Sequence, residues 1–137
     1  EIERLSNIVG LQSDLSKVSK DIKNKITSWK GSIIDKNNNI IYNNLQTVGG
    51  HLDATSATSF EADNLQSVRW NLDARSATSF VANNLQTVEG NLDARSATSF
   101  KANNLTKVER IYLSKSRIKK QDIFIPEETK LKIKYYE

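Results

Sequence analysis

Apolar residues recur in fixed columns through the middle of the chain. Three stretches, beginning at His51, Asn71 and Asn91, repeat almost letter for letter at a spacing of 20 residues. A fixed period of this length is typical of a stacked repeat architecture and not of a globular domain with one central cleft. The columns are Leu52/Leu72/Leu92, Ala54/Ala74/Ala94, Ala57/Ala77/Ala97, Phe60/Phe80/Phe100, Ala62/Ala82/Ala102, Leu65/Leu85/Leu105 and Val48/Val68/Val88/Val108.

The spacing inside each repeat predicts β-strands. Leu52 and Ala54 are two positions apart, as are Phe60 and Ala62, which is the alternation expected when one face of a strand is buried. A coil with two or three short strands cannot cover its apolar face unless another coil stacks on it. We therefore predict a mostly β fold: a short β-solenoid of 20-residue coils over residues 32–108, followed by a β-rich C-terminal cap over residues 109–137.

The first 31 residues follow a different pattern. Apolar side chains there recur at alternating intervals of three and four, which is the spacing of a heptad seam and predicts an α-helix over residues 1–31. One interpretation is a helix that caps the first coil. The narrowness of the stripe favours the other, a coiled coil that joins two or three copies of the chain. The predicted oligomerisation seam comprises Leu11, Leu15, Val18, Ile22 and Trp29.

Two polar columns accompany the apolar ones. Asparagines stand at positions 44, 64, 84 and 104, where stacked amides can satisfy the carbonyl groups of turns. Asp53, Asp73 and Asp93 form the second column, and their carboxylates would repel one another unless water, backbone donors, Arg75 or Arg95 relieve them. Calcium is a weak alternative, because one carboxylate per coil makes a poor oxygen cage.

Composition narrows the classes of function. The chain has 137 residues, 37% of them hydrophobic, which suits a solenoid with a thin core. It has no cysteine, so disulfides and thiolate metal sites are excluded. No apolar run is long enough for a membrane span. The net charge of +4 is concentrated in residues 107–137, and we interpret the basic cluster there as a solvated edge, not as a nucleic-acid site. The start at Glu1 and the absence of methionine suggest a fragment or a processed chain.

The sequence offers little support for catalysis. His51 is the only histidine, and it stands where later coils have Asn71 and Asn91, so we interpret it as a turn residue. Neither a serine nor a cysteine triad can be assembled, and we predict no catalytic residue, no metal and no cofactor. Two further alternatives are a lyase-like β-helix that cleaves acidic polysaccharides and an ice-binding solenoid built on the serine and threonine columns.

Outward positions that vary between coils are the candidates for binding. An exposed tryptophan beside an arginine suits contact with a sugar or a protein, although Trp70 could equally fold back over an edge. A surface glycan or a protein receptor is the expected partner. The candidate binding surface comprises Arg69, Trp70, Arg75, Arg95 and Lys101.

The run NNLQTVGGHLDATSATSFEADNLQSV, residues 43–68, resembles the degenerate leucine-rich-type repeats of bacterial surface and phage-associated proteins. The overall build also resembles a segment of a phage tail fibre. These resemblances imply a non-enzymatic structural and binding module, acting as a rigid spacer or display surface of a fibre-like or surface adhesion protein. They imply a location outside the cell, at the cell surface or in a virion. The alternative is a structural component docked in a larger assembly, such as a virion or an injection particle.

Overall fold

The computed structural model describes residues 12–136, which form a solenoid-like stack of short strands. All strand pairs are parallel, and they make three sheets. Sheet I contains β1 (Gln12–Asp14), β3 (Ser32–Ile34), β6 (Leu52–Asp53), β9 (Leu72–Asp73), β12 (Asn91–Asp93), β14 (Arg110–Ser114) and β16 (Ile133–Tyr136). Sheet II contains β4 (Asn39–Ile41), β7 (Ser59–Glu61), β10 (Ser79–Val81), β13 (Ser99–Lys101) and β15 (Ile123–Phe124). Sheet III contains β2 (Ser28–Trp29), β5 (Thr47–Val48), β8 (Ser67–Val68) and β11 (Thr87–Val88).

The strands pair in the register that the repeats predict. Leu52 lies opposite Leu72, and Phe60 lies opposite Phe80. Each coil places its leucine, alanine, phenylalanine and valine columns in the core, where nearly all of them are fully buried. The phenylalanine rings stack on one another, with centroids 5.1 Å apart between Phe60 and Phe80 and 4.8 Å apart between Phe80 and Phe100. The predicted mostly β fold with stacked coils is therefore confirmed for this part of the chain.

The long N-terminal helix is not formed by residues 12–31. This segment contains β1, the single helical turn α1 (Lys20–Lys23) and β2. Leu15 and Trp29, predicted to face another copy, are 2% and 0% exposed and lie in the core of the stack. Trp29 pairs with Val48 at the start of the valine column. Of the remaining seam residues, Val18 is partly buried, Ile22 is exposed, and Leu11 lies outside the described residues.

The physical reason is that coil stacking outweighs local helical spacing. The intervening residues are serine, asparagine, aspartate and lysine, and the first three of these form helices weakly. The apolar side chains can instead be buried against the coil above. The backbone N–H of Leu15 donates to the carbonyl of Ile34, 2.7 Å away, as a solenoid strand would. The apolar residues of this segment are thus spaced by three and four positions because the chain turns at the corners of a coil between them, and not because it forms a helix.

The C-terminal segment continues two of the sheets. Ile111 lies opposite Leu92 in sheet I, and Ile123 lies opposite Phe100 in sheet II. Two short 3₁₀ helices, Lys120–Asp122 and Glu127–Lys132, complete this irregular coil. The buried Thr129 fixes the second helix, because its hydroxyl donates to the carbonyl of Leu105 over 2.6 Å. The last strand, β16, pairs with β14 and forms one edge of sheet I.

Candidate functional site

A buried polar cluster near the start of the stack was not predicted. The Asp35 carboxylate, 1% exposed, accepts hydrogen bonds from the Lys23 ammonium at 2.7 Å and from the Tyr42 hydroxyl at 2.8 Å. Its other oxygen accepts from the backbone and side-chain amides of Asn37, at 3.1 and 2.8 Å. Burial, and then the neighbouring Asp35 carboxylate, raise the pKa of Tyr42. The Tyr42 hydroxyl therefore stays protonated and acts as a donor.

The cluster occupies core columns that belong to alanine in later coils. The backbone N–H of Asp35 donates to a carbonyl of the next coil, as the N–H of Ala54 does one coil later. Tyr42 and Ala62 make a second such equivalent pair. A sequence signal existed, because an aspartate stands in a column that the three repeats fill with alanine, at Ala54, Ala74 and Ala94. Both oxygens of the Asp35 carboxylate, the Lys23 ammonium and the Tyr42 hydroxyl have hydrogen-bond partners within the cluster. Its arrangement is that of a structural lock.

A cleft of about 510 Å³ lies beside this cluster, next to α1. On one side it meets β4, the first strand of sheet II, and no described strand pairs with that edge of β4. The cleft is rich in amides, and its lining includes Lys20, Asn24, Asn38, Asn39 and Asn43. It lies at the end of the stack that adjoins residues outside the described range.

The residues predicted to form one binding surface lie at different places around the coil. Arg75 and Arg95 follow strands of sheet I, and each is engaged by the aspartate two positions before it. The Arg95 guanidinium lies 2.6 Å from an oxygen of Asp93 and also 4.5 Å from the ring centre of Tyr136. Hydrogen bonding to Asp73 and Asp93 raises the pKa of the two arginines. Both guanidinium groups therefore form ion pairs within the molecule.

The same contacts explain how the aspartate column is tolerated. Arg75 and Arg95 neutralise two of the three carboxylates, and each aspartate also accepts the backbone N–H of the residue two positions later. The relief by arginine and by backbone donors that the sequence predicts is confirmed. In residues 12–136 no group of three or more metal-binding side chains is close enough together to hold an ion.

Lys101 lies on the outer face of sheet II. Its ammonium is 5.7 Å from the ring centre of Phe124 in the next coil, whose side chain is exposed. This pair is separated from the arginines by the turn between sheets I and II.

Arg69 and Trp70 remain together, at the corner between sheets III and I. Trp70 is 54% exposed, and no other described aromatic residue approaches it except His51, whose ring centre is 5.9 Å away. The preceding and following coils have Gly50 and Gly90 at the position of Trp70, so the indole has no side chain above or below it in its own column. Within the described part of the chain, Arg69 makes no ion pair.

A shallow groove of about 170 Å³ adjoins Arg69 on the outer face of sheet III. Lys30, Gly49, Arg69 and Glu89 follow one another in successive coils along it. Gly49 is required by close packing, since a Cβ atom there would lie 2.3 Å from the carbonyl oxygen of Lys30. The gap that it leaves separates two exposed cations. Hydroxyl groups of Ser28, Thr47 and Ser67 line the same groove.

His51 has a structural role at this corner. Its Nδ1 accepts the backbone N–H of Asn71 at 3.2 Å, and the Asn71 side-chain oxygen accepts the backbone N–H of Asn91 at 2.8 Å. The imidazole thus accepts the hydrogen bond that a side-chain amide accepts in the next coil, in agreement with the prediction of a turn residue. With Nδ1 accepting, the proton of the neutral ring is on Nε2.

Two polar ladders follow the coil repeat. The side-chain amides of Asn64, Asn84 and Asn104 each donate to a carbonyl of the coil below, which confirms the predicted amide ladder. The hydroxyls of Thr78 and Thr98 donate to the carbonyls of the threonines beneath them. Because these hydroxyl protons are already donated to carbonyl groups, the threonine column can only accept hydrogen bonds from ordered water and cannot donate them.

Comparisons with family models, with curated proteins and with solved structures give no match. The resemblance to leucine-rich-type repeats and to tail fibres stays a prediction. None of the helices in residues 12–136 has the length and apolar character needed to cross a bilayer.

Proposed function

We propose that the chain is a non-enzymatic repeat module that acts as a rigid spacer and display surface in a fibre-like or surface adhesion protein. The observation that carries the proposal is the in-register parallel stack, in which identical coils bury identical side chains. Each added coil would extend the stack by about 4.8 Å, the distance between neighbouring strands. Length could then change by whole coils without disturbing the core.

The stack is also stiff by construction. Its core consists of continuous columns of buried side chains, and strand pairing connects the central coils on three sides. Bending such a stack would strain all three sheets together. Its polar ladders occupy turn carbonyls that would otherwise bind water. These features suit a spacer, whereas they supply no enclosed pocket with convergent catalytic groups.

Inserted coils provide the test. Copies of residues 71–90 are inserted after Gly90, and the distance between spin labels at E61C and K120C is measured. Both positions are exposed, and the chain has no cysteine of its own. We expect a narrow distance distribution whose centre shifts by about 24 Å for five inserted coils.

The matched control is an insertion of equal length made of glycine and serine at the same place. It should broaden the distribution, because such linkers are flexible. A broad distribution for the coil insertions, or a distance that does not grow with their number, would contradict the spacer proposal.

The alternative, a component docked in a larger assembly, differs in self-association. Light scattering on the full chain separates the two, since a concentration-independent dimer or trimer favours a fibre and a monomer favours docking. Truncation of residues 1–30 is unsuitable for this purpose. It would remove Leu15, Ile26 and Trp29 from the core and destabilise the stack itself.

A further inference from the structure

The groove on sheet III and the corner beside it combine features that no other described surface has. Lys30 and Arg69 are both exposed and belong to coils separated by one intervening coil, so their backbones are about 10 Å apart. The residue between them is Gly49, which has no side chain to fill the gap. The position thus offers two cations facing a recess.

The surroundings of the recess are polar and supply hydrogen-bonding groups. Ser28 and Thr47 lie along its floor with their hydroxyl oxygens 2.8 Å apart. Glu89 closes the upper end of the groove, next to Arg69 in the column. An anionic group would be repelled by Glu89 and attracted by Lys30 and Arg69, so it would be seated toward Gly49. Glu89 would remain available to accept hydrogen bonds from hydroxyl groups.

Trp70 follows Arg69 directly and is 54% exposed. An indole face of this kind can pack against the C–H face of a sugar ring, because one side of a pyranose is apolar while its rim carries hydroxyls. Arg69 can bind a carboxylate or a sulfate through its planar guanidinium. The His51 ring lies beside the indole, with ring centres 5.9 Å apart.

We infer that this corner is a binding site for an anionic glycan, with an acidic group held between Lys30 and Arg69 at Gly49 and a neighbouring sugar ring stacked on Trp70. The inference rests on the display role proposed above. It names the class of ligand that the stack displays, and the shared chemistry is a pyranose that carries a carboxylate or a sulfate.

The test measures binding by isothermal titration calorimetry at low ionic strength. The probes are an oligogalacturonate, which carries only carboxylates, a carrageenan oligosaccharide, which carries only sulfates, and a neutral maltooligosaccharide of similar length. We expect one or both acidic probes to bind, with an affinity that falls as salt is added, and the neutral probe to bind more weakly. The two acidic probes distinguish a carboxylate from a sulfate as the recognised group.

Variants then locate the site. R69A and W70A should each weaken binding of the acidic probe about tenfold or more, as expected when an anchoring side chain is removed. A matched control is a second exposed cation and aromatic pair away from the groove, Lys101 and Phe124, so K101A and F124A should bind as the unmodified chain does. Thermal unfolding of every variant checks that the fold is retained.

Three outcomes would overturn the inference. They are the absence of binding to both acidic probes, equal binding of the neutral probe, and losses in K101A and F124A as large as those in R69A and W70A. The coil-insertion measurement is independent of all three. Failure of glycan binding with a linear increase in distance would reject this ligand class alone, whereas failure of the distance measurement would reject the spacer.

Discussion

Asp35 shows how a single position departs from the repeat. The next three coils have alanine in this column, yet here a carboxylate is buried with Lys23, Tyr42 and Asn37 around it. A buried carboxylate is stable only when it is paired and hydrogen-bonded, and both oxygens of Asp35 accept such bonds, from Lys23, Tyr42 and Asn37. The cluster therefore defines one end of the stack as a unique coil.

Replacement of Asp35 by alanine should be strongly destabilising, although alanine is the residue of later coils. D35A leaves the Lys23 ammonium and the Tyr42 hydroxyl buried without their partner, and we expect it to lower the free energy of unfolding by about 3–5 kcal/mol. Urea denaturation measures the change. The double variant K23M/D35A should recover part of the loss because no charge is left in the core. If D35A lowers the free energy of unfolding less than the double variant does, the Asp35 cluster does not stabilise the fold in the way described.

Tyr42 gives the stack a dependence on alkaline pH. Burial and the Asp35 carboxylate raise the pKa of its hydroxyl in the folded state. In the unfolded chain the same hydroxyl has the ordinary tyrosine pKa of about 10. The stabilising contribution is complete below that pH and is lost progressively as the pH rises above it, at up to about 1.4 kcal/mol per pH unit.

The variant Y42F should therefore differ from the unmodified chain in two ways. At neutral pH it should be less stable by about 1 kcal/mol, since one hydrogen bond to Asp35 is lost. Above about pH 10 its free energy of unfolding should fall less steeply than that of the unmodified chain. Denaturant titrations at a series of pH values test this, with Y136F, which removes an exposed tyrosine hydroxyl, as the control that keeps the original slope.

At the scale of the elements, side chains at the corners between strands make equivalent hydrogen bonds in successive coils. Ser32, His51 and Asn71 each accept a backbone N–H from the coil above, through three different chemical groups. The strands themselves have only two or three residues in most coils, so these corner contacts contribute much of the connection between coils.

Substitution of His51 separates this role from any special property of histidine. H51N restores the residue of later coils and should change the free energy of unfolding by less than about 0.5 kcal/mol. H51A removes the acceptor of the Asn71 N–H and should cost about 1 kcal/mol. Thermal or urea denaturation provides both values. Equal losses in the two variants would mean that the imidazole ring itself, and not its acceptor nitrogen, supports the corner.

At the scale of the whole molecule, stacking unites segments that the sequence separates. Sheet I passes from β1 to β16 without interruption, through the segment predicted to be a helix and through the segment predicted to be a cap. Each coil is covered by its neighbours, so the stability of the molecule resides in the interfaces between coils. The same property makes the coil the natural unit of growth, as the insertion experiment assumes.

The repeats alone determined the period, the inward columns and the pairing register of residues 48–108, because a repeated side chain can be buried only against its own copy in the next coil. They also indicated the amide ladder and the relief of the aspartates. Tertiary structure decided the rest. Leu15 and Trp29 entered the core because the coil above exposed an unfilled apolar face, and local spacing could not reveal that face. Arg69 and Trp70 were brought beside Lys30 and Gly49 by the winding of successive coils, which no local pattern encodes.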